Sequence, residues 1–399
     1  MRRLRNDLPY KFRPPIPSGW IWPVGLWANR RFFLQKKFLI NRLDDEGFEE
    51  VRTLSEEGHA VLFAPNHADH SDPHVMFEVM ARHRMRPYFM AAREVFEISD
   101  RGAWLLQRMG VFSVDRDGPD LSAIKTAISL LEQSHQPMVI YPEGEIYHHH
   151  ERLDPLHEGV ASILLKAAAR LKEGRRAYLV PVGMRFRHDP AVEATFSERL
   201  AVLEDRIGWH PRPMLELDDR ILRLGTGLLG LKEMEYTGEA SRGAVQDRLA
   251  AICETLLTDA ETRNGVDAKA LTVPERVRAQ RYRIRRRLLD LANLPSGRER
   301  SDLLDDLDRV FTALQAHSYI GDYLLAEQTL DRRAETIMKL EEDLLGFPKY
   351  PVARAARIVA GEPIPVSDLL ESGALPAKGG ATPLTGLLEE ELSALLSQI

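Results

Sequence analysis

Between about residue 45 and residue 186, apolar positions follow two alternating patterns. Short, nearly continuous apolar runs occupy 60–64, 87–91, 111–114, 137–141 and 177–184. Between them, apolar residues recur at helical spacing near 48–57, 75–83, 104–109, 121–134 and 159–172. Runs of the first kind suit strands buried on both faces, and strands joined by helices predict a mainly parallel sheet flanked by helices. In such α/β folds the chemistry sits where strands end.

Past about residue 190 the pattern changes, mixed over 200–231 and then helical from 240 to 345. Leu249, Ile252, Leu256 and Leu257, then Leu303, Leu304, Leu307 and Phe311, then Leu340, Leu344 and Leu345 mark helix faces punctuated by Pro274, Pro295 and Gly297. This predicts a C-terminal all-α domain, a hairpin or small bundle. The glycines at 225, 227 and 230 follow no strand and lack the Lys-Ser/Thr of a phosphate loop, so a packed helix or turn is expected there. Residues 346–385, rich in Pro and Gly, read as a linker, and 387–396 as a short acidic amphipathic helix able to dock back. The expected division is an arm at 1–44, an α/β domain at 45–215, helices at 216–345, and linker plus terminal helix at 346–399.

A length of 399 residues with 44% apolar content fits two domains or one enlarged one. The lone Cys253 excludes an internal disulfide, and neither a secretory pattern nor a run of ~18 apolar residues is found. A cytoplasmic setting without a spanning helix is expected. The net charge of −6 hides an asymmetry. Residues 1–42 hold ten basic side chains against the single acid Asp7, or +9, which leaves the rest at −15. This arm also carries Trp20, Trp22 and Trp27, with Phe32 and Phe33 beyond. Two readings stay open: aromatics docked on the protein's own core, or an arm lying on an anionic membrane surface. Without a binding module, no nucleic-acid partner is expected.

Candidate chemistry clusters at strand ends. Asn66-His67-Ala68-Asp69-His70-Ser71-Asp72 follows the first apolar run, and a His with an Asp five residues on can form a base oriented by a carboxylate. Gly110 opens a strand that ends near Arg116, whose guanidinium suits a phosphate or carboxylate, although Arg116 taken alone also fits a surface pair with Asp115 or Asp117. Tyr141-Pro142-Glu143-Gly144 places a carboxylate and a backbone-permissive Gly after another strand, and Val180-Pro181-Val182 interrupts the last one.

In this order, the four blocks resemble the glycerolipid acyltransferase superfamily, which includes bacterial lysophosphatidic acid acyltransferases. The match rests on Asn66, His67 and Asp72; on Gly110, Phe112 and Arg116; on Tyr141, Pro142, Glu143 and Gly144; and on Val180, Pro181 and Val182. The resemblance implies transfer of a fatty acyl group from an acyl-CoA or acyl carrier protein thioester to a hydroxyl of a lysolipid acceptor. It implies His67 and Asp72 as the catalytic pair, and Asn66, Gly110, Arg116, Glu143 and Gly144 as binding residues. It implies no cofactor and no metal, and a location peripheral to the inner face of the membrane. One departure stands out. Family members acting on phosphorylated acceptors usually continue Pro-Glu-Gly with Thr-Arg, whereas this chain continues Glu145-Ile146. An acid beside a phosphate dianion is unfavourable. Either Arg152 or the His148–His150 run substitutes, or the acceptor is zwitterionic, amino-acid-containing or neutral.

Rival readings belong to other classes. His67, Asp69, His70, Asp72 and His74 with His148, His149, His150 and His157 suggest a metallohydrolase, but Pro65 stands where the corresponding metal motif needs a further His. The His148–His150 run reads more simply as a solvated loop or helix start. A non-catalytic lipid-binding or scaffolding protein on the same fold is the other rival. The dense Arg run from Arg276 to Arg287 reads as a helix face paired with Asp302, Asp305, Asp306 and Asp308, or as a surface for anionic lipid or an acidic carrier protein.

Overall fold

The computed structural model describes residues 9–290, 294–319, 321–376 and 378–399, so Arg2, Arg3, Arg5 and Asp7 of the arm lie outside the described residues. The chain divides into two compact units. A sheet unit comprises Lys11–Asp115, Asp120–Pro190 and Tyr350–Ile399, and a helical unit is built mainly from Ala191–Lys349 with Arg116–Pro119.

The sheet unit carries, among the described residues, strands β1 (Ile40–Glu46), β2 (Ala60–Pro65), β3 (Tyr88–Ala92), β4 (Val111–Val114), β5 (Met138–Val139), β6 (Ala177–His188), β7 (Arg354–Ala360) and β8 (Ile364–Pro365). Their order is β1-β7-β6-β2-β5-β3-β4, with β8 also pairing β6. β2 runs parallel to β5 and β6, β5 to β3, and β3 to β4. Only β7 and β8 meet β6 antiparallel, while β7 lies parallel to β1. The mainly parallel sheet expected from the apolar runs is present, with a mixed edge.

Alternation across the pleat sorts the strand residues onto two faces. Val61, Phe63, Val180, Val182, Met184 and Phe186 join a core shared with Phe48, Val51, Val75, Met76, Val79 and Met80 from helices Phe48–Glu56 and Asp72–Arg82. Ala60, Leu62, Ala64 and Leu179 face the opposite core. There they meet Ile128, Leu131 and Leu164 from helices Leu121–Gln133 and Gly159–Ala168. Each such buried Leu, Ile or Phe contributes roughly 1.5–3 kcal/mol of transfer free energy.

Three expectations need correction. Residues 346–385 are not a linker. They supply β7 inside the sheet, β8, and the helix Val366–Glu371. The alternation in Arg354–Ala360 is masked by two arginines and three alanines, so its apolar signal is weak until β1 and β6 enclose it. The terminal helix extends over Ala381–Gln398 and buries Leu384, Leu388, Leu392 and Leu396 at i, i+4 spacing, the first three of them in the sheet's second core. The α/β unit also ends at Pro190 rather than near 215, because the helix Glu193–Arg206 belongs with the helical unit.

That unit packs helices Val245–Asn264, Val273–Leu288 and Gly297–His317 around Ile252, Leu256, Val277, Ile284, Leu303 and Val310. Thr272 and Glu275 form a reciprocal capping box at Val273, with Pro274 in the first turn. Gly225 and Gly227 lie within the helix Leu217–Thr237, as expected of a packed helix. Four arginines of the run pair with acids other than those expected. Arg276 is buried against Glu254 and Glu261, Arg287 reaches Glu299, and Arg281 and Arg285 grip Asp117 at 2.8 and 3.0 Å. Asp306 instead holds Arg263 and Asn264.

Both readings of the N-terminal arm have a structural counterpart. In the helix Ile21–Ala28 and the π-helical turn Asn29–Lys37, the side chains of Ile21, Trp22, Leu26 and Leu34 are buried. Trp20 and Trp27 are 72% and 59% exposed on the same segment. Asn29 fixes the arm by bonding His74 Nδ1 at 2.6 Å, and Phe33 stacks on that imidazole. Burial pushes the His74 pKa down to about 3, with Lys37 adding to the shift, so the ring is neutral in this contact. No described helix is long and apolar enough to cross a membrane.

Candidate active site

β2 ends at Pro65 and the chain turns sharply into the helix beginning at Asp72. The turn is closed by one carboxylate. Asp72 Oδ2 accepts from the Ala68 and Asp69 backbone N–H groups and lies 2.9 Å from His67 Nδ1. Asp72 is fully buried at the positive end of its helix, where a carboxylate is favoured. With Nδ1 committed to Asp72, Nε2 is the ring nitrogen left for another partner, and the His67 side chain keeps 14% of its surface accessible. The imidazole stacks on Tyr141, ring centroids 4.1 Å apart, so its plane is fixed as well as its tautomer.

The long segment from β5 to the helix at Gly159 forms the second wall. It leaves the same edge of the sheet as His67, since β5 and β2 are parallel. Glu143 ties it down: Oε1 accepts from His67 N at 2.6 Å and Oε2 from Asp154 N at 3.2 Å. Burial raises the Glu143 carboxyl well above the usual glutamate value, against the opposing pull of the His67 amide. Gly144 has φ +73, a left-handed conformation, and an added Cβ would lie 3.0 Å from His157. The three histidines that follow are not solvated. His148, His149 and His150 are all buried, His149 pairs with Asp154 at 2.6 Å, and His150 packs on Phe186. They are apolar-packed and paired because their segment folds over the sheet edge, which a run of three identical polar residues does not disclose.

Of the other residues singled out in the sequence, Asn66 serves the fold. Its Oδ1 accepts from Met184 N and its Nδ2 donates to Met184 O, extending the β2–β6 ladder past its last residue. Gly110 sits at the amino end of β4, the opposite sheet edge from His67, and opens that strand with φ +86. It lines a cleft of about 190 Å³ there with Arg86, Arg108 and Trp22. Arg116 falls in the segment grouped with the helical unit rather than with His67. Arg152 lies half-buried beside Glu151, whose carboxylate takes Arg185.

Two residues at this site hold each other in a way the local sequence does not disclose. Asp69, buried inside the turn, accepts from Ser71 N at 2.8 Å and from Arg354 Nη1 at 2.9 Å. Burial opposes its charge, but Arg354, aided by His150 and Ser71, holds the carboxyl far below the usual aspartate range. Arg354 comes from β7, so only the assembled sheet brings it here.

An oriented imidazole with one open nitrogen, at the carboxyl edge of a mainly parallel sheet, is the equipment for removing a proton from a hydroxyl nucleophile. Residues 42–185 match the protein family described as Acyltransferase. That domain is similar to those of glycerolipid acyltransferases. An 84-residue stretch is 33% identical to the 1-acyl-sn-glycerol-3-phosphate acyltransferase of Streptococcus pneumoniae, covering 21% of this chain. The match spans only 30% of that relative's length.

Proposed function

We propose that the protein transfers a fatty acyl group from a thioester, acyl-CoA or acyl carrier protein, to a hydroxyl of a lysophospholipid or related glycerolipid. The observation that carries this reading is the 2.9 Å contact between His67 Nδ1 and Asp72 Oδ2 within the acyltransferase domain. In the reaction, Nε2 of His67 takes the proton as the acceptor oxygen attacks the thioester carbonyl carbon. Asp72 stabilises the imidazolium that forms. The carbon–sulfur bond then breaks, and the departing thiolate takes the proton back, so the acylated lipid and a free thiol leave. Because the acceptor is itself the nucleophile, no acyl-enzyme is required, and burial pushes the Cys253 thiol up to about 12, which leaves it unreactive.

Glu145 beside the Pro-Glu-Gly turn disfavours a bare phosphate dianion. The acceptor best suited is therefore zwitterionic, amino-acid-containing or neutral, with Arg152 as a candidate for its anionic group. The exposed Trp20 and Trp27 with the neighbouring cations support action at an anionic membrane surface, on its cytoplasmic side. The test is thiol release from acyl-CoA and from acyl carrier protein across a panel of lysolipids, with mass spectrometry of the products. Wild type should acylate at least one acceptor, and His67→Ala should lose ~10²-fold or more of that rate. Equal rates for the two proteins would defeat the general-base assignment.

A further inference from the structure

We infer that Arg354, which lies outside the matched domain, is a positioning residue for the His67–Asp72 pair. The inference rests on the acyltransferase reading above and names a residue that acts through the turn rather than on the substrate. Arg354 is 1% exposed at the start of β7, and its guanidinium lies between the rings of Phe186 and Tyr350, 4.8 and 4.3 Å from their centroids. From there Nη1 and Nη2 donate to Asp69 Oδ2 and Oδ1 at 2.9 and 3.4 Å, Nη2 also donates to Ser71 Oγ at 3.2 Å, and Nε to Phe38 O at 3.3 Å. Tyr350 adds a 3.4 Å contact to Asp69.

Asp69 is the middle residue of the turn that holds the base. Its own N–H donates to Asp72 Oδ2, and its C=O accepts from Asp72 N at 3.0 Å. The same carboxylate oxygen of Asp72 receives His67 Nδ1. Arg354, Asp69, Asp72 and His67 thus form one continuous chain of contacts from the sheet interior to the base. A planar guanidinium holds Asp69 through two nitrogens and Ser71 through one of them in a fixed fork, an arrangement a point-charge ammonium does not reproduce. The segment after the helical unit therefore sets the geometry of a base encoded nearly three hundred residues earlier.

The test uses the full chain and two readouts. Proton NMR follows the Nδ1-bound proton of His67, assigned by its absence in His67→Gln, and steady-state kinetics separates kcat from KM. In Arg354→Met and Asp69→Asn, checked for folding by circular dichroism, the imidazole proton should shift or broaden. Their kcat should fall by on the order of 10- to 10²-fold, the loss expected of a misplaced catalytic group, with acceptor KM within about two-fold. Arg354→Lys should lie between them and wild type. If the single variants do not fold, Asp69→Asn/Arg354→Met, which strands no charge, is read in the same way. An unchanged imidazole proton in a folded variant overturns the inference, whether or not kcat falls. If wild type acylates no acceptor, the functional reading fails, and the His67 proton alone then decides whether Arg354 positions the pair.

Discussion

Glu143 illustrates how a side chain recognised in a motif can hold structure at the site. Its two oxygens accept from the backbones of His67 and Asp154, so it ties the His67 turn to the segment after β5. Its carboxyl is raised above the ordinary value of 4.5 chiefly by burial. In the window between the two values the folded state binds more protons than the unfolded state, so stability falls as pH rises through it. Urea midpoints across mildly acidic to alkaline pH should therefore decline for wild type and decline less for Glu143→Gln; parallel curves would refute the assignment. The His67–Asp72 pair was legible because both residues lie five apart on one turn. The partners of Asn66 and Glu143 were not, since they lie 118 and 76 residues away and depend on strand register. Asp69 was hidden further, because a buried charge in a turn makes sense only once Arg354 is seen, and removing one member of such a pair costs about 3–5 kcal/mol.

At the level of elements, the long apolar runs mapped closely onto β2, β3, β4 and β6 and onto the helices between them. The strands that escaped notice are those with weak apolar character. β1 reads Ile-Asn-Arg-Leu-Asp-Asp-Glu at the sheet's edge, β7 carries two arginines, and Pro/Gly-rich flanks suggested a linker. Helical periodicity located the terminal helix but truncated it, because Ala381 and Thr382 carry no amphipathic signal. The arm segment is half core and half exposed surface, so periodicity alone could not choose between its two readings. The exposed half yields a prediction. Flotation of the full chain with anionic vesicles should fall several-fold in Trp20→Ala/Trp27→Ala and should weaken with salt, while zwitterionic vesicles bind poorly throughout. Unaltered flotation by the double variant would remove these tryptophans from the membrane contact.

For the whole molecule, the main consequence is that the matched domain does not complete its own sheet. β7 is interior, between β1 and β6, and arrives only after the helical unit. A chain ending at Lys349 should therefore lose soluble folded protein and bind a hydrophobic dye, leaving the edges of β1 and β6 open; a folded, active truncation would contradict the role assigned to β7. The class of fold and the pairing of His67 with Asp72 were legible in the sequence alone. Each is written in local pattern: runs of apolar residues, helical spacing, and a His and an Asp within one turn. Only the tertiary structure decided that Asn66 and Glu143 brace the backbone, that Gly110 lies at the far sheet edge, and that residues past 350 finish the sheet and deliver Arg354 to the turn. Those relations are set by strand order and by the burial of charges against distant partners, and neither leaves a trace in the spacing of neighbouring residues.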